Sequence, residues 1–258
     1  MTTDPGSDPS TYGRSFADVY DEWYASSFDT DGAVAALRRL AGNGPVLELG
    51  VGTGRLALPL AAFGLHVVGL DASEEMLTHL RAADPNETVL PLCGDMAKVS
   101  ATIEAATISE EFSLVFCAFN TLLNLPDIDS IVDCLRESRE HLRADGLVVI
   151  EAVVPIDHSE IPLRSLTPAR VNSDAAVFIE TTFDASTSRL HGRHIEVRAN
   201  SVVTRPWSVL LCGPDLLDSA AQTTGLVLVE RWNDWSGAAF REESTAHISI
   251  YAPTERFS

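Results

Sequence analysis

The stretch VLELGVGTG, residues 46–54, joins a short apolar run to three alternating glycines. An apolar run bounded by glycine is typical of a buried strand in a parallel sheet. Glycines directly after such a strand let the backbone approach a ligand, and they expose N–H donors at the start of the next helix. We therefore expect a ligand-binding turn at residues 50–54, between a strand at 46–50 and a helix at 53–63.

Apolar runs and amphipathic stretches alternate through the first 154 residues. Strands are predicted at residues 46–50, 66–71, 88–95, 112–119 and 147–154, and helices at 15–41, 53–63, 73–83, 97–108 and 127–143. This alternation is typical of right-handed β-α-β units and hence of a parallel sheet. Residues 1–14 are expected to form a flexible tail.

A different pattern follows from residue 155 onward. Three β-prone runs separated by polar turns indicate an antiparallel sheet; they cover residues 175–183, 189–198 and 201–211. A last helix after Pro214 and two strands at 226–232 and 247–253 complete the chain. We expect a core formed by residues 15–154 and 213–258, with an inserted substrate-binding cap at 155–212.

The composition excludes several classes of protein. The 258 residues include 18 Lys and Arg against 37 Asp and Glu, a formal charge of −19, which disfavours binding to nucleic acid or to an anionic membrane. The sole lysine, Lys98, follows Ala97, so a GK[ST] phosphate loop is absent. No apolar run approaches the ~18 residues of a membrane helix, and the polar N-terminus lacks the pattern of a signal peptide. We expect a cytoplasmic protein with a small-molecule partner and no metal site, as a monomer or a homodimer.

The spacing of the glycines distinguishes between ligands. A dinucleotide-binding fingerprint, G-x-G-x-x-G, would follow Gly50 and Gly52 with a third glycine at position 55. This chain has Arg55 there, and its third glycine is Gly54. The pattern therefore disfavours NAD.

Acidic residues end the first three predicted strands or lie next to their ends. Asp71 lies 23 residues after Glu48, where a carboxylate can accept hydrogen bonds from both hydroxyls of a ribose. The alternative for Asp71 is a cap of the helix that begins at Ser73. Asp95 is placed to accept from an adenine amino group, with Met96 against the base, and the alternative is a turn aspartate.

These elements together resemble the class I S-adenosylmethionine-dependent methyltransferases. The matching segments are ELGVGTG at 48–54, LDAS at 70–73, GDM at 94–96 and VFCAFNT at 115–121. The resemblance implies a Rossmann-like, mainly parallel seven-stranded sheet with an antiparallel final hairpin, and S-adenosylmethionine as the cofactor. The YDEWY and FNTLLNL segments and the late insertion are most similar to bacterial small-molecule methyltransferases, including amino-sugar N-methyltransferases of natural-product pathways.

The resemblance also implies roles for individual residues. The glycine loop would hold the methionine moiety, Glu48 would orient it through the loop and bound water, and Asp71 would bind the ribose. Tyr20 and Tyr24 look like part of an aromatic helix that covers the cofactor, with core packing as the alternative. The full predicted set of cofactor-binding residues is Tyr20, Tyr24, Glu48, Gly50, Gly52, Gly54, Asp71, Ala72, Met76, Asp95, Met96 and Phe119.

The chemistry of methyl transfer narrows the search for catalytic residues. An in-line displacement needs alignment and exclusion of water, and an amine nucleophile need only arrive neutral, whereas a hydroxyl or carbon nucleophile usually needs a base. No obvious base follows the fourth predicted strand, which favours N-methylation of an amine over O- or C-methylation. Asn120, Glu151 and His194 are the catalytic candidates, each with a structural role as the alternative. A nicotinamide oxidoreductase and a non-catalytic cofactor-binding protein are the alternatives from other classes.

Overall fold

The computed structural model describes residues 8–24 and 29–257, so residues 1–7 of the predicted tail lie outside this part of the chain. The strands within it are β1 Val46–Leu49, β2 Val67–Asp71, β3 Val89–Cys93, β4 Phe112–Cys117, β5 Leu142–Val153, β6 Arg164–Val171, β7 Ala175–Asp184, β8 Arg189–Arg198, β9 Ser201–Leu210, β10 Leu226–Trp232 and β11 Ala246–Pro253. The α-helices are α1 Thr11–Phe16, α2 Tyr20–Tyr24, α3 Thr30–Ala41, α4 Ala57–Ala62, α5 Glu74–Ala83, α6 Val99–Ala105, α7 Ile128–Glu140 and α8 Pro214–Thr223.

Seven strands form the larger sheet, in the order β10-β11-β5-β4-β1-β2-β3. Strands β1 to β5 pair in parallel, whereas β11 is antiparallel to both β5 and β10. The predicted mainly parallel sheet with an antiparallel final hairpin is therefore confirmed. The sheet order places the ends of β4 and β3 on opposite sides of β1 and β2.

Helices cover both faces of this sheet. One hydrophobic cluster packs residues of α6, α7 and α8 against the sheet, and a second packs residues of α3, α4 and α5 against the opposite face. The strands are apolar on both faces for this reason, and Leu47 and Val46, neighbours on β1, are both fully buried in different clusters. Burial of both faces makes this sheet a rigid platform for groups at its carboxyl edge.

The inserted segment forms a second sheet, with four antiparallel strands in the order β6-β7-β8-β9. Three of these strands were predicted and β6 was not. Strand β6 is exposed along nearly its whole length, and Pro168 interrupts its sequence, so it lacks the alternation of apolar and polar residues on which the prediction depends.

The N-terminal prediction needs a correction. Helix α1 begins at Thr11, so residues 11–14 are helical rather than part of a flexible tail. Phe16 of this helix is fully buried against Trp23 and Met76, and this tertiary packing stabilises a helix too short to form alone.

Among the described residues, no helix is long and apolar enough to cross a membrane.

Candidate functional site

A cavity of about 190 Å³ lies at the carboxyl ends of β1 to β4, where open α/β sheets bind ligands. Ten of the predicted site residues line it: Tyr20, Gly50, Gly52, Asp71, Ala72, Met76, Asp95, Met96, Phe119 and Asn120. The sequence analysis did not assign the other lining residues to the site: Pro9, Tyr12, Gly13, Leu70, Gly94, Thr121, Asn124 and Val209.

The three glycines after β1 have positive φ angles of 74°, 56° and 92° at Gly50, Gly52 and Gly54. A Cβ atom at Gly50 would lie 2.2 Å from Thr121 Cγ2, and one at Gly54 would lie 2.3 Å from Leu80 Cδ1. A Cβ atom at Gly52 would meet no described atom within 4 Å, because this glycine borders the cavity. The outer glycines thus permit close packing, and the middle one leaves space for a ligand.

Asp71 connects the glycine loop to the start of α5. Its Oδ2 accepts from Gly52 N at 2.9 Å, and its Oδ1 accepts from Ser73 N at 2.8 Å. Burial raises the pKa of Asp71, and these backbone donors oppose the rise. Ser73 Oγ accepts from Met76 N, so Ser73 itself caps α5. The Asp71 carboxylate lines the cavity and has further lone pairs for a ligand.

Asp95 lies at the far end of the cavity, beyond β3. Its Oδ1 accepts from Ala97 N at 2.9 Å and caps a short 3-10 helix, Met96–Lys98. The turn interpretation is therefore confirmed; the same side chain also lines the cavity, and its contact with an adenine amino group stays a prediction. Met96 lines the same end, which combines an acceptor with an apolar surface.

Glu48 lies in β1 and is only 4% exposed. Its Oε2 has no hydrogen-bond partner in the described part of the chain. Burial raises the pKa of Glu48 to about 8, with opposition from Arg55 and a smaller contribution from Asp71. Glu48 does not line the cavity itself, and its action on a ligand through the glycine loop stays a prediction.

Aromatic side chains cover the cavity. Tyr12 and Tyr20 line it with ring centroids 6.5 Å apart, and Tyr24 contacts Tyr20 at 5.2 Å and Phe119 at 5.9 Å. Burial raises the pKa of all three tyrosines, which keeps them neutral. The spacing of Tyr12, Phe16 and Tyr20 by four residues indicates one helical face but no contact with the site. Because residues 1–14 were predicted as a flexible tail, Tyr12 was not assigned to the site.

The turn after β4 carries two residues in left-handed conformations, Phe119 and Asn120, with φ angles of 49° and 64°. Asn120 Oδ1 accepts from Val153 N at 2.7 Å. Glu151 Oε2 accepts from Phe119 N at 2.8 Å, and Glu151 Oε1 accepts from Trp235 Nε1 at 2.9 Å. Asn120 and Glu151 therefore hold the ends of β4 and β5 together.

Three predicted site residues lie beside the cavity rather than in its lining. Gly54 packs against α5, and Tyr24 packs behind Tyr20. Glu151 borders an adjoining cavity of about 270 Å³, which shares Phe119 and Asn120 with the first.

His194 lies among aromatic residues of α1, α2 and the second sheet. Its ring contacts Phe16 at 5.1 Å and Trp23 at 5.7 Å, and its Nδ1 accepts from Trp207 Nε1 at 3.1 Å. Burial lowers the pKa of His194 to about 4, with smaller contributions from Arg170 and Arg205. His194 lines neither cavity, and its catalytic role stays a prediction.

The residues present fit a nucleoside-containing cofactor. The open face of Gly52, the acceptors Asp71 and Asp95, and the apolar Met96 follow one another along the edge of the sheet from β1 to β3. The fold and the site thus define a class of α/β proteins that bind a nucleoside-type cofactor at this edge.

Comparison with known proteins narrows this class. A family model described as a methyltransferase domain matches residues 46–146. The solved structure of the CcbJ methyltransferase from Streptomyces caelestis is 36% identical, with a TM-score of 0.86 over 95% of this chain and 99% of that one. This chain belongs to the S-adenosylmethionine-dependent methyltransferases.

Two further relatives are informative. The cypemycin N-terminal methyltransferase of a Streptomyces species is 30% identical over 156 residues, which are 58% of this chain and 60% of that protein. The chain thus spans about three fifths of the length of the curated relatives it matches. The amino pentose methyltransferase CalS10 from Micromonospora echinaspora shares the fold, with a TM-score of 0.64, 18% identity and coverage of 90% and 96% of the two chains.

Proposed function

We propose that this protein transfers the methyl group of S-adenosylmethionine to an amine nitrogen of a small molecule in secondary metabolism. The observation that carries the proposal is the chemistry of the cavity end below β4. Among the described lining residues there, Asn120, Thr121 and Asn124 supply amide and hydroxyl groups, and no histidine, lysine or carboxylate. A neutral amine needs no stronger base, whereas a hydroxyl usually does.

The same geometry supports the cofactor-binding roles that we propose. Asp71 accepts from the ribose hydroxyls, Asp95 accepts from the adenine amino group with Met96 against the base, and the glycine loop faces the methionine end. When bound, the cofactor supplies a methyl group that its sulfonium already activates. The neutral rings of Tyr12 and Tyr20 exclude water and present π faces to a cation.

Asn120 is the residue that we propose orients the acceptor. Its Oδ1 is engaged by Val153 N, so its amide N–H groups are the ones that remain for a ligand. Glu151 supports Asn120 by fixing the Phe119 backbone, and it carries negative charge into the adjoining cavity. Asp29 and Asp234 also border that cavity, and Arg55 is the cation in its lining. The acidic side chains outnumber it, which favours a cationic part of the acceptor there.

The relatives agree with an amine acceptor. The cypemycin enzyme is named for methylation of an N-terminus, and CalS10 is named for an amino pentose. We extend from these names only the class of acceptor, an amine of a natural-product intermediate. O- and C-methylation of such an intermediate is the second candidate.

A panel of acceptors tests the proposal. The protein with S-adenosylmethionine is offered amino sugars, peptides with free N-termini, and the N-acetylated form of each, with mass spectrometry of the products. We expect methylation of free amines and no methylation of their acetylated forms. Methylation of both forms at a hydroxyl would contradict N-methylation, and cofactor binding by calorimetry without any product would favour the non-catalytic alternative.

We propose that the second sheet and its flanking residues, 155–212, select the acceptor. Val209 of β9 lines the cofactor cavity, so this sheet reaches the site. Exchange of the segment for that of a related methyltransferase should change the preferred acceptor on the same panel. An unchanged preference in a folded chimera would remove the proposal.

We also propose that the protein works in the cytoplasm as a homodimer. On one face of the second sheet, Val171, Val197 and Val202 lie in one cross-strand row and are 72%, 38% and 64% exposed. Residues 155–212 hold six arginines and six acidic residues, so this segment is free of the net charge that would repel a second copy. Light scattering should show a dimer for the wild type and a monomer for Val202→Glu. A monomeric wild type would contradict the proposed homodimer.

A further inference from the structure

Arg205 of β9 holds helix α1 from one face of the second sheet. The residue is 7% exposed, and its Nη1 donates to Ser15 O at 2.6 Å and to Asp18 Oδ1 at 2.5 Å. Its Nη2 donates to Asp18 Oδ2 at 2.8 Å, and its guanidinium lies 5.4 Å from the ring of Trp23. This residue therefore fixes the helix whose Tyr12 and Gly13 line the cofactor cavity.

Arg189 of β8 holds the turn after β4. It is 4% exposed, and its Nη1 donates to Leu125 O at 2.7 Å and Pro126 O at 2.6 Å. Its Nε and Nη2 donate to Ser208 Oγ at 3.0 and 2.8 Å. Leu125 directly follows the 3-10 helix Thr121–Asn124, whose ends line the cavity.

The two arginines project from opposite faces of the sheet. Arg205 pairs across the strands with His194, five residues after Arg189, and an odd separation along a strand reverses the direction of a side chain. One side chain reaches the N-terminal cover and the other reaches the β4 turn. Val209 of β9, which lies between Arg205 and Leu210, the residue paired with Arg189, lines the cavity. A single sheet thus sets the position of two walls of the site.

We propose that Arg205 and Arg189 are positioning residues for methyl transfer. Arg205 fixes the cover over the cofactor, and Arg189 fixes the turn that carries Asn120, Thr121 and Asn124. The part of this inference that concerns turnover rests on the proposed function. An in-line displacement is sensitive to misplacement of its walls by about 1 Å, so loss of either contact should lower kcat in a protein that remains folded.

The experiment compares three arginine-to-methionine variants of the full chain. Arg205→Met and Arg189→Met remove the buried contacts while methionine fills similar space. Arg193→Met is the matched control, because Arg193 lies on the same face of β8 as Arg189 but is exposed and pairs with Glu180. The measurements are calorimetric affinity for S-adenosylhomocysteine, hydrogen exchange by segment, and kcat and KM on the amine that the wild type methylates best.

Each variant has a distinct expected profile. Arg205→Met should raise hydrogen exchange in residues 11–18 and weaken S-adenosylhomocysteine binding by about tenfold, because α1 loses charge-assisted bonds. Arg189→Met should raise exchange in residues 121–127 and lower kcat, with a smaller effect on that affinity. Arg193→Met should leave hydrogen exchange, the affinity for S-adenosylhomocysteine and kcat unchanged. Arg189→Lys, which retains the charge but has a single donor group, should restore part of kcat.

Two results would overturn the inference. One is a profile for either buried-site variant that matches Arg193→Met. The other is increased exchange throughout β4, β5 and α7 in both variants, with no rescue by lysine, which would indicate a general loss of stability. If the wild type methylates no amine, the proposed function fails, whereas the affinity and exchange measurements still decide whether the arginines position the walls.

Discussion

Replacement of Glu48 by glutamine tests the electrostatics of the site most directly. The carboxyl group is buried in β1, and burial raises its pKa from 4.5 to about 8, with Arg55 opposing the rise and Asp71 adding to it. At neutral pH the folded protein without ligand therefore keeps Glu48 protonated. The unfolded chain ionises the same group.

The size of the effect follows from linkage. Between pH 4.5 and about 8 the folded state binds more protons than the unfolded state, so the free energy of unfolding falls as the pH rises. At pH 7 the solution is about two and a half pH units above the unfolded pKa, and at ~1.4 kcal/mol per unit Glu48 lowers stability by about 3 kcal/mol relative to pH 4.5. Glutamine cannot ionise, so the variant should lack this decline.

Urea denaturation of the wild type and Glu48→Gln from pH about 4.5 to about 8.5 measures the decline. The difference in free energy of unfolding between the two should move in favour of the variant by about 3 kcal/mol between pH 4.5 and pH 7. Glu104→Gln, an exposed substitution on α6, is the control and should follow the wild type. Parallel curves for wild type and Glu48→Gln would refute the reasoning.

The same carboxyl group links protons to the cofactor. A cation in the cavity favours ionised Glu48, so binding of the sulfonium compound S-adenosylmethionine should release protons. S-adenosylhomocysteine lacks the sulfonium charge and should release fewer. Calorimetry in buffers with different enthalpies of ionisation measures both numbers, and equal release for the two compounds would contradict a charge contact with Glu48.

Five further substitutions, at four positions, separate the other contributions to the site. Asp71→Ala should weaken S-adenosylmethionine binding by roughly 1.5–3 kcal/mol through lost charge-assisted hydrogen bonds, and an unchanged calorimetric affinity would contradict the ribose role. Gly52→Ala and Gly225→Ala place a Cβ at φ angles of 56° and 77° with free space around it, so the two variants should lose similar amounts of stability in thermal denaturation. Only Gly52→Ala should also weaken cofactor binding. Asn120→Gly should exceed Asn120→Ala in stability by ~1 kcal/mol because alanine is strained at positive φ; equal melting temperatures would count against strain at the turn.

The sequence predicted the cavity-lining residues whose positions depend on local spacing. The alternation of Gly50, Gly52 and Gly54 directly after an apolar run gives the loop, its strand and its helix at once. Asp71 and Asp95 follow because parallel strands end at one edge of a sheet. The site residues at this edge could therefore be predicted without knowledge of contacts between distant segments.

The residues that the sequence missed depend on contacts between distant segments. Nothing near Tyr12 shows that its helix packs against α5, where a Cβ on Gly13 would lie 2.4 Å from Ser73 Cβ. Val209 reaches the cavity only because the second sheet packs beside the β4 turn. Strand β6 is exposed and lacks the periodic pattern of a strand with one buried face.

The scarcity of lysine acquires a structural interpretation at the second sheet. All but one of the 18 basic residues are arginine, and the buried ones among them use the planar fork of donors. Arg205 binds both oxygens of Asp18, and Arg189 spans two backbone carbonyls and a hydroxyl, geometries that one ammonium group cannot match. These two buried arginines therefore support the proposed positioning of the site walls, whereas the net charge of −19 describes the surface and does not identify the acceptor.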